Sequence, residues 1–223
     1  MKKKLLALLL GLTLCLSLAA CGGSTDDTAA DDTADTAGDD AAETVTLTVA
    51  ASPTPHAVIL EQCVPILAEQ GIDLVINEYS DYVVPNTAVE DGDEDANYFQ
   101  HIPYLEEFNE TRGTHLVDVA SVHIEPMGVY AGKTASLEEL ADGAVIAIPN
   151  DATNEGRALL LLEAQGLITL DDSSNLTATP NNIVDNPKNL EFQELEAATI
   201  PSVLADVDLA VINSNYALGA GLN

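Results

Sequence analysis

Residues 144–166 read AVIAIPNDATNEGRALLLLEAQG. Ala144 to Ile148 is a short apolar, β-rich run, Pro149-Asn150-Asp151 interrupts it, and the leucine-rich stretch from Ala158 closes at Gly166 like a capped helix. Strand, polar turn and helix in this order form half of a β-α-β unit. The same order stands earlier in the chain, with Val45 to Ala50 as strand, 57–70 as helix and Leu74 to Glu78 as strand. It continues later with Leu190 to Leu195 and Leu209 to Ile212. This alternation predicts an α/β fold with parallel strands. Ligands in such sheets sit beyond the C-terminal ends of strands, and both the polar run 149–156 and Asn213 directly follow one.

Arg157 stands out within this stretch. The spacing places it in the first turn of the helix, where a fixed positive charge opposes the helix dipole and the free N–H groups favour an anion. Two readings are open at this point. Arg157 and the helix start form a carboxylate-sized anion site, or Arg157 pairs with Glu155 or another of the many acids.

The chain begins Met1-Lys2-Lys3-Lys4, followed by an apolar stretch from Leu5 to Leu18 that is too short to span a bilayer comfortably. Leu18-Ala19-Ala20-Cys21 then reads as a lipobox, with cleavage leaving a lipid-modified Cys21; an ordinary signal peptide cleaved near Ala20 is the alternative. Residues 22–44 are rich in Asp, Thr and Ala, with eight acids and no base, the composition of a disordered tether. With Cys15 in the signal and Cys21 lipidated, Cys63 is left alone, so no intramolecular disulfide is available. Beyond the signal only Arg112, Lys133, Arg157 and Lys188 are cationic. A formal net charge of -30 argues against a nucleic-acid partner, while 47% hydrophobic content suffices for a normal core.

Six of the nine aromatic residues lie between 79 and 108. Asn97-Tyr98-Phe99-Gln100-His101-Ile102-Pro103-Tyr104 packs rings and an imidazole around a proline at a strand-to-helix turn, a pattern suited to walling a small apolar pocket that accepts a thioether. Core packing is the competing reading and is preferred for Tyr98 and Phe108. Val122 to Tyr130 reads as extended chain crossing between two lobes, or as a plain edge strand, since Pro126 and Gly128 argue against a helix. The four histidines, His56, His101, His115 and His123, include no pair with the spacing of a helix-borne metal site, and Cys63 has no nucleophile motif around it. Neither a metal-binding protein nor an enzyme is favoured.

Beyond these patterns, several segments carry a resemblance. Pro53-Thr54-Pro55-His56, Asp81 to Asn86, Phe99-Gln100-His101-Ile102-Pro103-Tyr104, His123 to Gly128, Asn154-Glu155-Gly156-Arg157, Asn186 to Leu190 and Ala210 to Ala217 follow in the order found in the NlpA family of methionine-binding lipoproteins, which the body of the chain resembles. The resemblance implies a periplasmic-binding-protein-like fold (type II) of two α/β lobes, with mixed sheets and flanking helices, that close on a ligand. It implies residues 1–20 as signal peptide and 21–44 as lipidated Cys21 with its tether. A first lobe would take 45–128 and 213–223, and a second lobe 129–212. Arg157 would clamp the ligand carboxylate and Asn213 its polar end. Tyr82, Phe99, His101 and Tyr104 would surround the methionine side chain, with the Tyr82 hydroxyl also on offer, and Asn154 and Glu125 are weaker candidates. Glu125 would meet an ammonium group, orient Arg157 or cap the crossing strand.

The implied function is a lipid-anchored receptor on the extracytoplasmic face of the cell membrane, without cofactor or catalysis. It would deliver L- or D-methionine to an ABC permease and its ATPase. A methionine-containing dipeptide, another small amino acid and, less favoured, a metal ion are the alternative ligands. Family members continue for some tens of residues past the position of Asn223. The expectation is therefore a first lobe lacking its C-terminal part, with apolar surface uncovered and with lower stability and affinity.

Overall fold

Residues 44–222 are described by a computed structural model. The expected signal peptide, Cys21, the expected tether up to residue 43, and Asn223 lie outside the described residues. Strand β1 (Val45–Ala51) becomes progressively buried along its length, from an exposed Val45 to a buried Val49-Ala50-Ala51. It pairs in parallel with β2 (Ile72–Glu78), Val45 opposite Ile72, and on its other side with β3 (Ala96–Tyr98). The result is a three-stranded parallel sheet in the order β2-β1-β3.

The connection from β1 to β2 is not the single helix expected over 57–70. A turn at Pro53–Ala57 leads into α1 (Val58–Glu61), and α2 (Val64–Ala68) follows after a break. Pro65 explains the interruption, because it has no N–H to offer the carbonyl of Glu61 and its ring crowds that carbonyl. After β2, Asp81 accepts the backbone N–H groups of Val83 and Val84, both at 2.8 Å, at the start of α3 (Val84–Asp91). Helix α4 (Ile102–Arg112) follows β3, so the aromatic stretch does fall at a strand-to-helix turn.

Residues 113–126 run without regular structure, and Val117, Val119, Val122 and Ile124 are exposed there. Strand β4 (Met127–Ala131) then joins a second sheet, ordered β4-β9-β5-β8. Here β9 (Leu209–Asn213) and β8 (Glu191–Leu195) flank β5 (Val145–Pro149), all parallel, while β4 runs antiparallel to β9 with Met127 opposite Asn213. The sheet is therefore mixed rather than purely parallel. Pro126, with no N–H, immediately precedes the ladder, and β4 occupies the sheet edge. Two short strands, β6 (Thr169–Leu170) and β7 (Ile183–Asp185), pair separately. Short α6 (Ile200–Val203) precedes β9, and α7 (Ser214–Gly219) follows it.

Helix α5 (Ala152–Ala164) packs Ala158, Leu159 and Leu162 against Ile146, Ile148 and Val211 of the second sheet. All six are completely buried, the largest continuous core in the described residues. The helix begins earlier than its leucine-rich part suggests. Asp151 is the N-cap and its side chain accepts the N–H of Asn154, so Arg157 lies in the second turn and not the first. Gly156, between them, is in close contact with the segment at Leu176. A Cβ there would collide with the Leu176 carbonyl group, lying 2.6 Å from its carbon and 3.0 Å from Thr177 N.

Gly156→Ala should therefore cost roughly 1–3 kcal/mol of stability through overpacking against backbone that cannot step aside. Gly219→Ala, where a Cβ meets open space, should change stability little. Urea unfolding midpoints of the two variants check this, and equal midpoints would show that the 176–177 segment yields freely.

Candidate functional site

Every candidate ligand-binding side chain except Glu125 lies at or after the C-terminal end of a strand. Tyr82 comes after β2, Phe99, His101 and Tyr104 after β3, Asn154 and Arg157 after β5, and Asn213 is the last residue of β9. All eight candidates, Glu125 included, line one cleft of about 1190 Å³. Both sheets thus contribute to it, as strand-end placement predicts.

One amide lies at its centre. Asn154 Oδ1 accepts from Arg157 Nη1 at 2.9 Å and from Asn213 Nδ2 at 2.9 Å, with His101 Nε2 3.4 Å away. The Asn154 amide is itself oriented by Asp151, whose Oδ1 accepts both the backbone N–H (3.0 Å) and Nδ2 (2.9 Å) of Asn154. Arg157 Nη2 donates to the backbone carbonyl of Glu125 at 3.0 Å. Glu125 therefore orients the guanidinium through its main chain, one of the roles expected for it.

The pairing of Arg157 with Glu155 is not found. Among the described residues no carboxylate lies within 4 Å of the guanidinium, and its protein partners are the neutral oxygens of Asn154 and Glu125. Burial lowers its pKa, while the charges of Asp151 and Glu125 act in the opposite sense. A half-buried cation held by neutral acceptors is suited to an anionic ligand. Asn213 adds the opposite polarity, since its Oδ1 is buried with no hydrogen-bond partner among the described residues.

The rings gather beside this polar group. Tyr82 stands 5.7 Å from Phe99, 5.9 Å from Tyr104 and 5.0 Å from Tyr216, centroid to centroid. Tyr104 Oη donates to the Tyr82 carbonyl at 3.1 Å. The Tyr82 hydroxyl, expected to be on offer to a ligand, already donates to Asn215 Oδ1 at 2.6 Å. Burial raises the Tyr82 pKa far above its ordinary value, so the phenol stays neutral. His101 caps α4 by accepting the Tyr104 N–H at its Nδ1, 3.2 Å. Burial and the nearby Arg157 charge lower its pKa to about 4, which keeps the imidazole neutral at pH 7.

Several supporting residues were not singled out from the sequence. Asn215 and Tyr216 fix Tyr82 from α7, and Asn86, fully buried on α3, exchanges hydrogen bonds with Gln100 at 2.9 and 2.7 Å, anchoring the residue before His101. The available signal was the polar run Asn213-Ser214-Asn215 directly after a wholly apolar strand. Phe108 is core, as preferred. Tyr98 is not; it is half-buried, edge-on to His56 at 4.7 Å and hydrogen-bonded to His123 at 2.6 Å.

This arrangement is that of an α/β binding protein with its ligand cleft at the strand ends. The chain belongs to the NlpA lipoprotein family, whose sequence profile matches residues 47–223. A lipoprotein from Ruminococcus gnavus is 54% identical, with a TM-score of 0.79 over 80% of this chain and 73% of that one. A nutrient binding protein from Burkholderia cenocepacia, solved bound to methionine, is 44% identical with a TM-score of 0.73 over 79% of this chain and 75% of that one. The D-methionine-binding lipoprotein MetQ of Salmonella typhi is 49% identical over 68% of this chain and 57% of its own length. Across lipoprotein relatives the match spans between 56% and 76% of their lengths.

Titration of the site sets opposing limits on stability. Glu155 is buried with Oε1 unpartnered, and burial, then Glu194 and Asp151, raise its carboxyl from the ordinary 4.5 to about 7. The folded chain thus holds a proton that the unfolded chain releases. Stability from this carboxyl is full below 4.5 and lost as pH rises through about 7. His56 and His101, both lowered from 6.5 to about 4, act in reverse, their contribution falling away as pH drops from 6.5 to about 4. Glu155→Gln should therefore melt higher than the parent at pH 8 and with it at pH 4.5. A melting-temperature gap that does not change with pH would contradict the shifted carboxyl.

Proposed function

We propose that this protein is a non-catalytic, lipid-anchored receptor on the extracytoplasmic face of the cell membrane. It captures methionine, as either enantiomer, and delivers it to an ABC permease and its ATPase. Lipid on Cys21 supplies the anchor and the acidic segment after it the tether. The observation that carries the reading is Arg157, a half-buried guanidinium with no carboxylate partner among the described residues. An α-amino acid supplies that missing carboxylate, and its ammonium group is a donor for the unpartnered Oδ1 of Asn213. Charge at both ends of the ligand backbone is matched without any chemical step.

The side chain then lies toward Tyr82, Phe99, Tyr104 and the neutral ring of His101. A thioether suits these surroundings, since sulfur gains roughly 0.3–1.5 kcal/mol per aromatic contact and has no hydrogen-bonding demand that rings cannot meet. The methionine bound in the Burkholderia cenocepacia relative and the D-methionine-binding lipoprotein MetQ of Salmonella typhi support the same choice. We further propose that residues 45–128 with 213–223 and residues 129–212 act as two lobes closing on the ligand. A methionine-containing dipeptide is the second reading, favoured by the size of the cleft, about 1190 Å³, which exceeds the need of one amino acid.

Calorimetric titration with L-methionine, D-methionine and a methionine dipeptide tests the proposal. Arg157→Ala should lose on the order of 2–5 kcal/mol of affinity, because the ligand carboxylate would be left desolvated and unpaired. Absence of binding heat with either enantiomer, or an unchanged affinity in the variant, would overturn the reading.

A further inference from the structure

In the lining of the cleft, two histidines and a glutamate converge. One ring nitrogen each of His56 and His123 and a carboxylate oxygen of Glu125 all lie within 4.8 Å of one another. Glu125 Oε1 is 3.6 Å from His56 Nε2 and 2.9 Å from His123 Nε2. Nitrogen and oxygen ligands at zinc bond lengths stand roughly 3.3–3.5 Å apart around a tetrahedral ion, so side-chain shifts of about 1 Å or less close the set.

His56 has a ring nitrogen free for an ion, Nε2, which faces Glu125 without a hydrogen bond. Its ring is buried, its Nδ1 has no hydrogen-bond partner among the described residues, and its Nε2 is beyond hydrogen-bond reach of Glu125. Buried imidazoles are rarely left so. Tyr98 stands edge-on to it at 4.7 Å, fixing the ring plane. His123 has the reverse arrangement, with both nitrogens engaged, Nε2 by Glu125 at 2.9 Å and Nδ1 by the Tyr98 hydroxyl at 2.6 Å. A carboxylate only accepts, so without an ion His123 Nε2 carries the proton and Nδ1 accepts from Tyr98. When Nε2 turns to an ion, the proton moves to Nδ1 and the same hydroxyl accepts it. A hydroxyl serves both states, which is the usual outer-shell partner of a metal-bound histidine.

We propose that His56, His123 and Glu125 bind one divalent transition-metal ion of the zinc class. Two imidazoles and one carboxylate suit zinc, whereas calcium and magnesium require mostly oxygen. His123 and Glu125, two apart in the irregular segment 113–126, meet at 2.9 Å, a spacing that helical metal motifs do not include. The ion ties the turn at 53–57 to the segment 113–126. Because the Glu125 carbonyl holds Arg157, it also steadies the segment that orients the guanidinium. The remaining histidines do not form such sets: His101 caps α4, and His115 pairs with Glu90 alone at the surface.

The test is titration of the chelator-stripped protein with zinc chloride in excess magnesium, which occupies oxygen-only acidic sites. One zinc per chain is expected, with a higher melting temperature on binding. His123→Gln, at a partly exposed position that tolerates change, should weaken zinc at least about tenfold and remove the thermal shift. His115→Gln should leave both as they were. Cobalt titration should give a visible absorption band in the parent and not in His123→Gln. Zinc binding abolished by magnesium, or equal in the parent and His123→Gln, would overturn the site.

Discussion

A single side-chain oxygen joins the two larger sheets of this protein at its cleft. Asn154 Oδ1 accepts from Arg157 and from Asn213, and His101 approaches it from α4. Asp151, Asn154 and Arg157 recur at intervals of three along one helix, so they share one face and the cap of the helix also orients the site. Asp151 satisfies an otherwise free N–H and at the same time turns the Asn154 amide so that its oxygen, not its nitrogen, meets the guanidinium. Loss of that orientation would present a donor to a cation.

Around this oxygen the electrostatics are arranged by omission. Burying a guanidinium without a carboxylate is unfavourable, and here neutral oxygens reduce the cost while leaving the charge unneutralised. Direct contact with Asp151 or Glu125 carboxylates would satisfy Arg157 and close it to ligands. Asp151 is occupied by Asn154 and the Glu125 carboxylate by His123, so both acids sit nearby with one carboxylate oxygen each engaged elsewhere. The rings bring no competing charge. His101 and Tyr82 are both held neutral, mainly by the same burial.

Much of this was legible in the chain. Strands β1, β2, β5 and β9 announced themselves as short β-rich runs, and α5 as a leucine-rich segment, because tertiary packing there agrees with local pattern. Three-residue β3 carries no such pattern, and β4 was ambiguous because its direction depends on its partner, not on its own residues. The start of α5 was misplaced since Ala-Thr-Asn-Glu-Gly has poor helix propensity and only the Asp151 cap sets it. Among the site residues, Arg157 was visible because cations are so scarce. Asn215, Tyr216 and Asn86 were not, since each acts on a neighbour distant in sequence, as in the 133 residues separating Tyr82 from Asn215.

The formal charge of -30 bears on the cleft as well as on the choice of partner. A zwitterion such as methionine carries no net charge and approaches this surface without penalty. Aspartate or glutamate arrives as an anion and is repelled before contact, over a range of about 8 Å at physiological salt. An acidic chain of this kind would disfavour anionic ligands ahead of the pocket. On the proposed reading, Arg157 would then be offered chiefly to ligands whose negative charge is already balanced within the same molecule.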